Sequence, residues 1–171
     1  KIYIVGQIAY ISDKIKAYDG IDVIEFNELK DNNIIIDLNI LNEITDNDFQ
    51  KKYDYYLEKG NYNSESDINN FVKKYIKDNN IIGKIVKTNI ANHEIVKTID
   101  NYEEYKIAGV IIDEVSTPTV YFNKERLGNI IKKILPKQRG TTDWEYRGIE
   151  CFYTQSPLYL LAFVEEISRS D

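Results

Sequence analysis

From Ile81 to Phe122 apolar residues recur at every second position, in the runs IIGKIVKTNI, HEIVKTID, YKIAGVIIDE and PTVYF. A period of two sends alternate side chains to opposite faces of an extended chain, so this stretch demands a sheet with a buried face. Four strands are predicted, forming an antiparallel meander over about residues 81–122, with Ala91-Asn92 placed at a hairpin turn. IVKT stands at 85–88 and again at 95–98. Two copies of four residues are too few for a repeat architecture and read as facing strands of similar composition.

The chain ahead of this stretch reads differently. Lys1 to Gly6 predicts a buried strand, and a helical pattern follows from about Ile8 to Tyr18. Asp19-Gly20 is a turn signal, after which Ile21–Phe26 and Ile34–Ile40 predict two more strands. Thr45 or Asp46 can cap a helix that runs to about Glu58 and stops at Gly60, and Ser64 or Ser66 can cap another running to about Lys77. In the second helix Ile68, Phe71, Val72, Tyr75 and Ile76 fall on one face, which marks that face as core. Helices and strands segregate along the chain, and the expected fold is α+β. It is a single compact domain with a mixed sheet, packed helices and a C-terminal helix/β-hairpin/helix unit. Any sub-division would separate an α/β part, 1–79, from a part at 80–171.

Several function classes find no support. Gly6 stands alone, without a G-x-G-x-x-G or G-x-x-x-x-G-K-[ST] motif, so no backbone cradle for a dinucleotide or nucleotide phosphate is indicated. One histidine, His93, and one cysteine, Cys151, fall short of the usual structural zinc sets, and a lone cysteine forms no internal disulfide. No metal and no cofactor are expected, and a reducing, cytoplasmic location fits. The longest apolar run falls well short of the roughly 20 residues of a membrane helix, so no membrane partner is expected. His93 lies at the expected turn and reads as an exposed turn residue. Asp113 and Glu114, adjacent on a strand, point to opposite faces and do not work as a pair. Cys151, between Ile149 and Phe152, reads as a buried thiol.

Charge is distributed unevenly. Lys124, Arg126, Lys132, Lys133, Lys137 and Arg139 stand against Glu125 alone in residues 124–139, a net +5 on a chain whose total is -6, leaving -11 for the remainder. A basic island on an acidic protein reads as a placed feature rather than an accident of composition, with a solvated helix face as the alternative reading. Four of its six cations lie on the clearest amphipathic helix in the chain, and Lys137 and Arg139 follow it. Asn123 is its N-cap, Leu127, Ile130, Ile131, Ile134 and Leu135 form the inward stripe, and Pro136 ends it. Arg126, Lys132 and Lys133 are expected to point outward. The following KQRGTTDWEYRGIECFY reads as a hairpin that brings Arg139 and Arg147 beside the helix. A last helix is expected after Ser156 and Pro157, with Leu158, Leu161, Ala162 and Val164 on its apolar face.

The run from Leu127 to Ile149 resembles the recognition helix and wing of winged-helix domains in RFX-type transcription factors and at the C-terminus of D5-like viral and phage primase-helicases. Leu127-Gly128, Pro136, Arg139-Gly140 and Tyr146-Arg147-Gly148-Ile149 occupy the places of that pattern. The run departs from it in a short wing bearing Asp143 and Glu145, and in the strands that precede the helix. The resemblance implies a DNA-binding accessory protein of viral, phage or mobile-element type. Lys124, Arg126, Lys132, Lys133, Lys137, Arg139 and Arg147 would then meet phosphates of duplex DNA, and Asn129 would reach base edges. A second class is a protein-protein interaction module, an inhibitor, immunity or adaptor protein, suggested by the small size and the 14 tyrosines. An enzyme built on the N-terminal unit is a third, with no motif behind it and no catalytic residue to name.

Overall fold

Asp37 is the last residue of a strand and the first capping group of a helix, and the architecture turns on it. In a computed structural model, which describes residues 2–11, 13–30, 32–60, 62–92, 102–113, 118–134 and 160–167, strand β4 (Asn33–Asp37) leads directly into helix α1 (Leu38–Ile44). The Asp37 carboxylate accepts from the Ile40 backbone N–H at 2.9 Å through Oδ1 and from the Thr119 N–H at 3.0 Å through Oδ2. The first bond caps α1; the second fixes the start of β7 (Thr119–Phe122), which pairs antiparallel with β4. The sequence pattern extends this strand to Ile40, but the carboxylate ends it at Asp37 by opening a helix.

The other elements are β1 (Ile2–Tyr10), β2 (Ile15–Tyr18), β3 (Val23–Phe26), α2 (Asp48–Lys59), α3 (Glu65–Asp78), β5 (Ile85–Asn92), β6 (Tyr102–Ile111), α4 (Lys124–Ile134) and β8 (Leu160–Ile167). The eight strands among the described residues join one mixed sheet, in an α+β fold. Six of them close on themselves in the order β6-β4-β7-β1-β8-β5 and back to β6. Closure is possible because β6 shares one edge between two partners. Tyr102–Lys106 pair with β5 while Val110 pairs with Tyr18 of β2, and β4 lies along the opposite edge. The β2–β3 hairpin therefore hangs off the ring.

A bulge sets the burial pattern of β6. Ile34 pairs with Ile107 and Ile35 with Gly109, so Ala108 is an extra residue and the faces exchange there. Before it Tyr105 and Ile107 enter the main core; after it Val110 and Ile112 do. That core also holds Ile8, Tyr10, Tyr18, Ile34, Ile36, Val120 and Phe122, closed over by Ile40, Leu41 and Ile44 of α1 and by Phe49, Val72, Tyr75 and Ile76 of α2 and α3. Helix α1 touches β1, β4, β6, β7 and β8, so it lies across the concave side of the curled sheet. On the opposite face Ala17, Leu29 and Ile35 form a smaller cluster with Phe26. There Gly109 is pressed flat: a Cβ would stand 3.1 Å from the Phe26 ring and 3.2 Å from Ala17.

Ser64 caps α3 as expected, and Val72, Tyr75 and Ile76 line its buried face. The start of α2 is shifted. Asn47 precedes it in the left-handed region at φ 67 without a side-chain cap, and the orphan N–H groups of Phe49 and Gln50 are met by the Thr45 hydroxyl at 3.3 Å and the Asn42 side chain at 3.0 Å.

Four further expectations are corrected. Residues 8–18 form no helix: β1 runs through Gly6 to Tyr10, pairing parallel with β7 and antiparallel with β8, and β2 follows. Ala91 and Asn92 are not a turn but pair with Leu161 and Leu160 of β8. Where a last helix is expected, the described residues Leu160–Ile167 form a strand held on both edges, by β1 and β5. The meander is antiparallel between β5 and β6, but β7 lies beyond β4, between it and β1. In each case pairing with a distant strand overrides a local pattern compatible with either period.

Removing the Asp37 carboxylate strands the N–H groups of Ile40 and Thr119. Asp37→Ala is expected to lower unfolding free energy by about 2–4 kcal/mol, and Asp37→Asn, which keeps one acceptor, by roughly half that, in urea denaturation. Burial pushes the Asp37 pKa up against the backbone hydrogen bonds that lower it. The folded state therefore holds its proton to higher pH than the unfolded chain, so this group's contribution falls as pH rises through its folded pKa, and the Asn variant lacks that slope.

Candidate nucleic-acid interface

Helix α4 is anchored at its first turn. The Asn123 side chain accepts from the Arg126 N–H at 2.9 Å, as an N-cap does, and donates through its amide to the Leu29 carbonyl at 2.6 Å. Leu127 and Gly128 are buried while Lys124, Glu125 and Asn129 are exposed, which orients the first turns as the amphipathic pattern requires. The Lys124 ammonium sits 4.9 Å from the centre of the Tyr10 ring, on the outer side of this turn.

Arg126 departs from expectation. Its side chain, predicted to point outward, turns back over β6 and is 25% exposed, against 27% for Glu103, with which it forms an ion pair. Its Nε donates to the Tyr105 hydroxyl at 3.2 Å, and that hydroxyl donates to the same Glu103 carboxylate at 3.1 Å. The three groups close a ring of hydrogen bonds, with the guanidinium over the Tyr105 ring, and that ring stands nearly perpendicular to Phe122 at 5.1 Å between centres. The correction has a physical cause. Position 126 is one residue before the buried Leu127, and the aromatic and carboxylate on β6 offer a guanidinium both planar stacking and a fork partner.

The electrostatics follow from burial. Tyr105, 1% exposed, has its pKa pushed up to about 12 by desolvation, with Glu103 adding to the rise and Arg126 opposing it. Burial works against the Arg126 charge, but the Tyr105 hydroxyl and Glu103 more than offset it and hold the guanidinium pKa above its ordinary value. Arg126 is permanently charged and neutralised in place.

Of the other residues the sequence marks, Asn129 lies on the exposed side, and Lys132 and Lys133 lie in the second half of α4, their side chains outside the described set. Lys137, Arg139 and Arg147, with the expected hairpin, are outside the described residues, as are His93, Glu114 and Cys151. Asp113 is exposed. The helix follows a strand rather than two helices, and it packs near β5. Glu103 and Tyr105 were not picked out by the sequence; the one available signal is that strand residues two apart share a face.

Elsewhere, an open cleft of about 270 Å³ is lined by Asp19, Gly20, Ile21, Ile76, Lys77, Asn80 and Ile82. The carboxylate with a raised pKa, Asp37, is not in it, and its oxygens are taken by backbone N–H groups. Among the described residues no group of three His, Cys, Asp or Glu side chains is placed to hold a metal ion, and no helix is long and apolar enough to cross a membrane.

Comparison with known proteins gives nothing to add: no family model matches the chain, and no curated protein or solved structure is similar to it. The site stands on its own chemistry.

The ring of Glu103, Tyr105 and Arg126 predicts a delayed tyrosine. Titrated by ultraviolet absorbance, one phenol is expected to ionise near pH 12, about two units above an ordinary tyrosine, and Tyr105→Phe removes it. Its stabilising contribution is present below pH 10 and is lost as pH rises through 12, because the unfolded chain gives up the proton first. A double-mutant cycle of Arg126→Ala and Glu103→Ala is expected to show a coupling of about 1 kcal/mol, modest because the pair is partly solvated.

Proposed function

We propose that the protein binds duplex DNA through the exposed side of α4, as an accessory factor without an active site of its own. The observation that carries this reading is the segregation of charge. Residues 124–139 hold six cations against one anion on a chain of net charge -6. In the first turns of α4, which bears four of these cations, the inward positions are buried and Lys124 and Asn129 face solvent.

In this reading Lys124, Lys132, Lys133, Lys137, Arg139 and Arg147 neutralise phosphates, and the release of condensed counterions supplies most of the affinity. Asn129, one turn beyond Glu125 on the exposed side, is the base-reading candidate, since a side-chain amide can bond bidentately to adenine in the major groove. Arg126 is reassigned. With its charge matched by Glu103 it holds α4 to the sheet, and the winged-helix likeness of residues 127–149 is kept as part of the proposal without it. A cytoplasmic setting belongs to the same reading.

A protein partner is the second reading, favoured by one observation: Ile21 is 88% exposed at the tip of the β2–β3 hairpin, with Ile24 38% exposed beside it. The two readings use different surfaces.

Fluorescence anisotropy with a labelled duplex separates them. Wild-type binding is expected to weaken steeply between low and physiological salt. Lys124→Ala/Lys132→Ala/Lys133→Ala is expected to flatten the slope of log K against log salt by about 2–3, close to 0.9 for each phosphate that is no longer neutralised. Arg126→Ala is expected to act on stability rather than on that slope. Absence of binding at low salt removes the DNA reading and turns attention to the hairpin.

A further inference from the structure

Ring closure leaves the β2–β3 hairpin carrying, among the described strands, the sheet's remaining free edge, the outer side of β3. The hydrogen-bond pattern shows which groups face it. The Asp19 N–H donates to the Asp22 carbonyl at 3.1 Å, so residues 19 and 22 face each other as a bonded pair. Bonded and non-bonded pairs alternate along an antiparallel ladder. Ala17–Ile24 and Ile15–Phe26 are then bonded pairs, and Tyr18–Val23 and Lys16–Glu25 are not. The N–H and C=O groups of Val23 and Glu25 therefore point away from β2, with no described strand beyond them.

Such an edge is self-complementary. Two copies of β3 brought together antiparallel about a two-fold axis at Ile24 place Val23 of each opposite Glu25 of the other. The outward groups then form four backbone hydrogen bonds, and the two half-exposed Ile24 side chains meet across the axis. One contact interrupts this pairing. The Asp22 carboxylate accepts from the Val23 N–H at 2.8 Å, occupying one of the two outward donors on each copy and placing a negative charge beside the other strand's carbonyl.

We propose that Asp22 is an edge guard, whose carboxylate keeps β3 from pairing with a second copy of this chain. Its role is separable from the turn. The turn is held by Asp19, whose Oδ1 accepts from the Ile21 and Asp22 N–H groups at 2.8 and 2.9 Å, and the Asp22 side chain is not needed for it. The neighbouring Glu25, salt-bridged to Lys14 at 3.4 Å, adds charge to the same edge, a common means of blunting strand ends.

The test is sedimentation equilibrium over a range of concentrations on four folded proteins, with far-ultraviolet circular dichroism as the fold control. Asp22→Ala is expected to self-associate into dimers about tenfold or more tightly than wild type, since two donors per dimer are released. Asp22→Asn keeps the acceptor while losing the charge and is expected to associate less tightly than Asp22→Ala. Asp22→Ala/Glu25→Pro removes an outward N–H that β2 does not use, so it leaves the hairpin intact and is expected to abolish the added association. The proposal is overturned if Asp22→Ala associates no more than wild type. Association of Asp22→Asn to the same extent as Asp22→Ala, or an Asp22→Ala dimer that survives Glu25→Pro, would overturn it as well.

Discussion

One buried carboxylate ties a strand and the helix that follows it to a strand beginning 82 residues further on. Asp37 is the sole charged residue among the buried positions described, and each of its oxygens has a backbone donor, one from α1 and one from β7. A charge costs several kcal/mol to bury unless such donors are in place, so its presence demands that α1 begin where it does and that Thr119 arrive at the end of β4. Both consequences are structural. Starting α1 here lays Ile40, Leu41 and Ile44 across the concave side of the sheet, and placing β7 beside β4 puts it between β4 and β1, which the six-stranded ring requires.

The ring in turn depends on the irregularity at Ala108. A regular β6 would keep one face inward along its whole length, sending either Tyr105 and Ile107 or Val110 and Ile112 to the outer side. The extra residue lets both pairs enter one core, and the bend that accompanies a bulge suits the point where β6 exchanges its neighbour β5 for β2. The flat back of Gly109 beside Phe26 belongs to the same device, since the hairpin can settle on β6 only where no side chain intervenes.

These features explain what could and could not be read beforehand. The α3 face and the Ser64 and Asn123 caps are local, each determined by residues within a turn or two, and they were legible. Strand β6 was also legible as a strand, because its alternation is strong. Its bulge and its partners were not, since they are set by β4, β5 and β2 acting together. The failures at residues 8–18 and 160–167 share one cause: apolar runs such as Ile8–Ile11 and Leu160–Val164 satisfy both periods over a few residues, and the decision lies with partner strands that no local window contains. At the candidate site the basic island and its helix were legible, whereas the fate of Arg126 was not, because charge counting treats every cation alike.

That distinction bears on how a basic helix works. A guanidinium sealed over an aromatic ring by its own carboxylate offers little to a phosphate, since an incoming anion would have to displace Glu103 and then face its repulsion. Lys124 on the same turn is exposed and lies beside the Tyr10 ring rather than against a carboxylate. Arg126 instead fixes where the start of α4 stands: it joins the first turn to β6, while Asn123 joins the same turn to Leu29. Held from two sides, the helix presents its outer positions at a constant angle to the sheet. A face held in this way loses little ordering entropy when anything meets it.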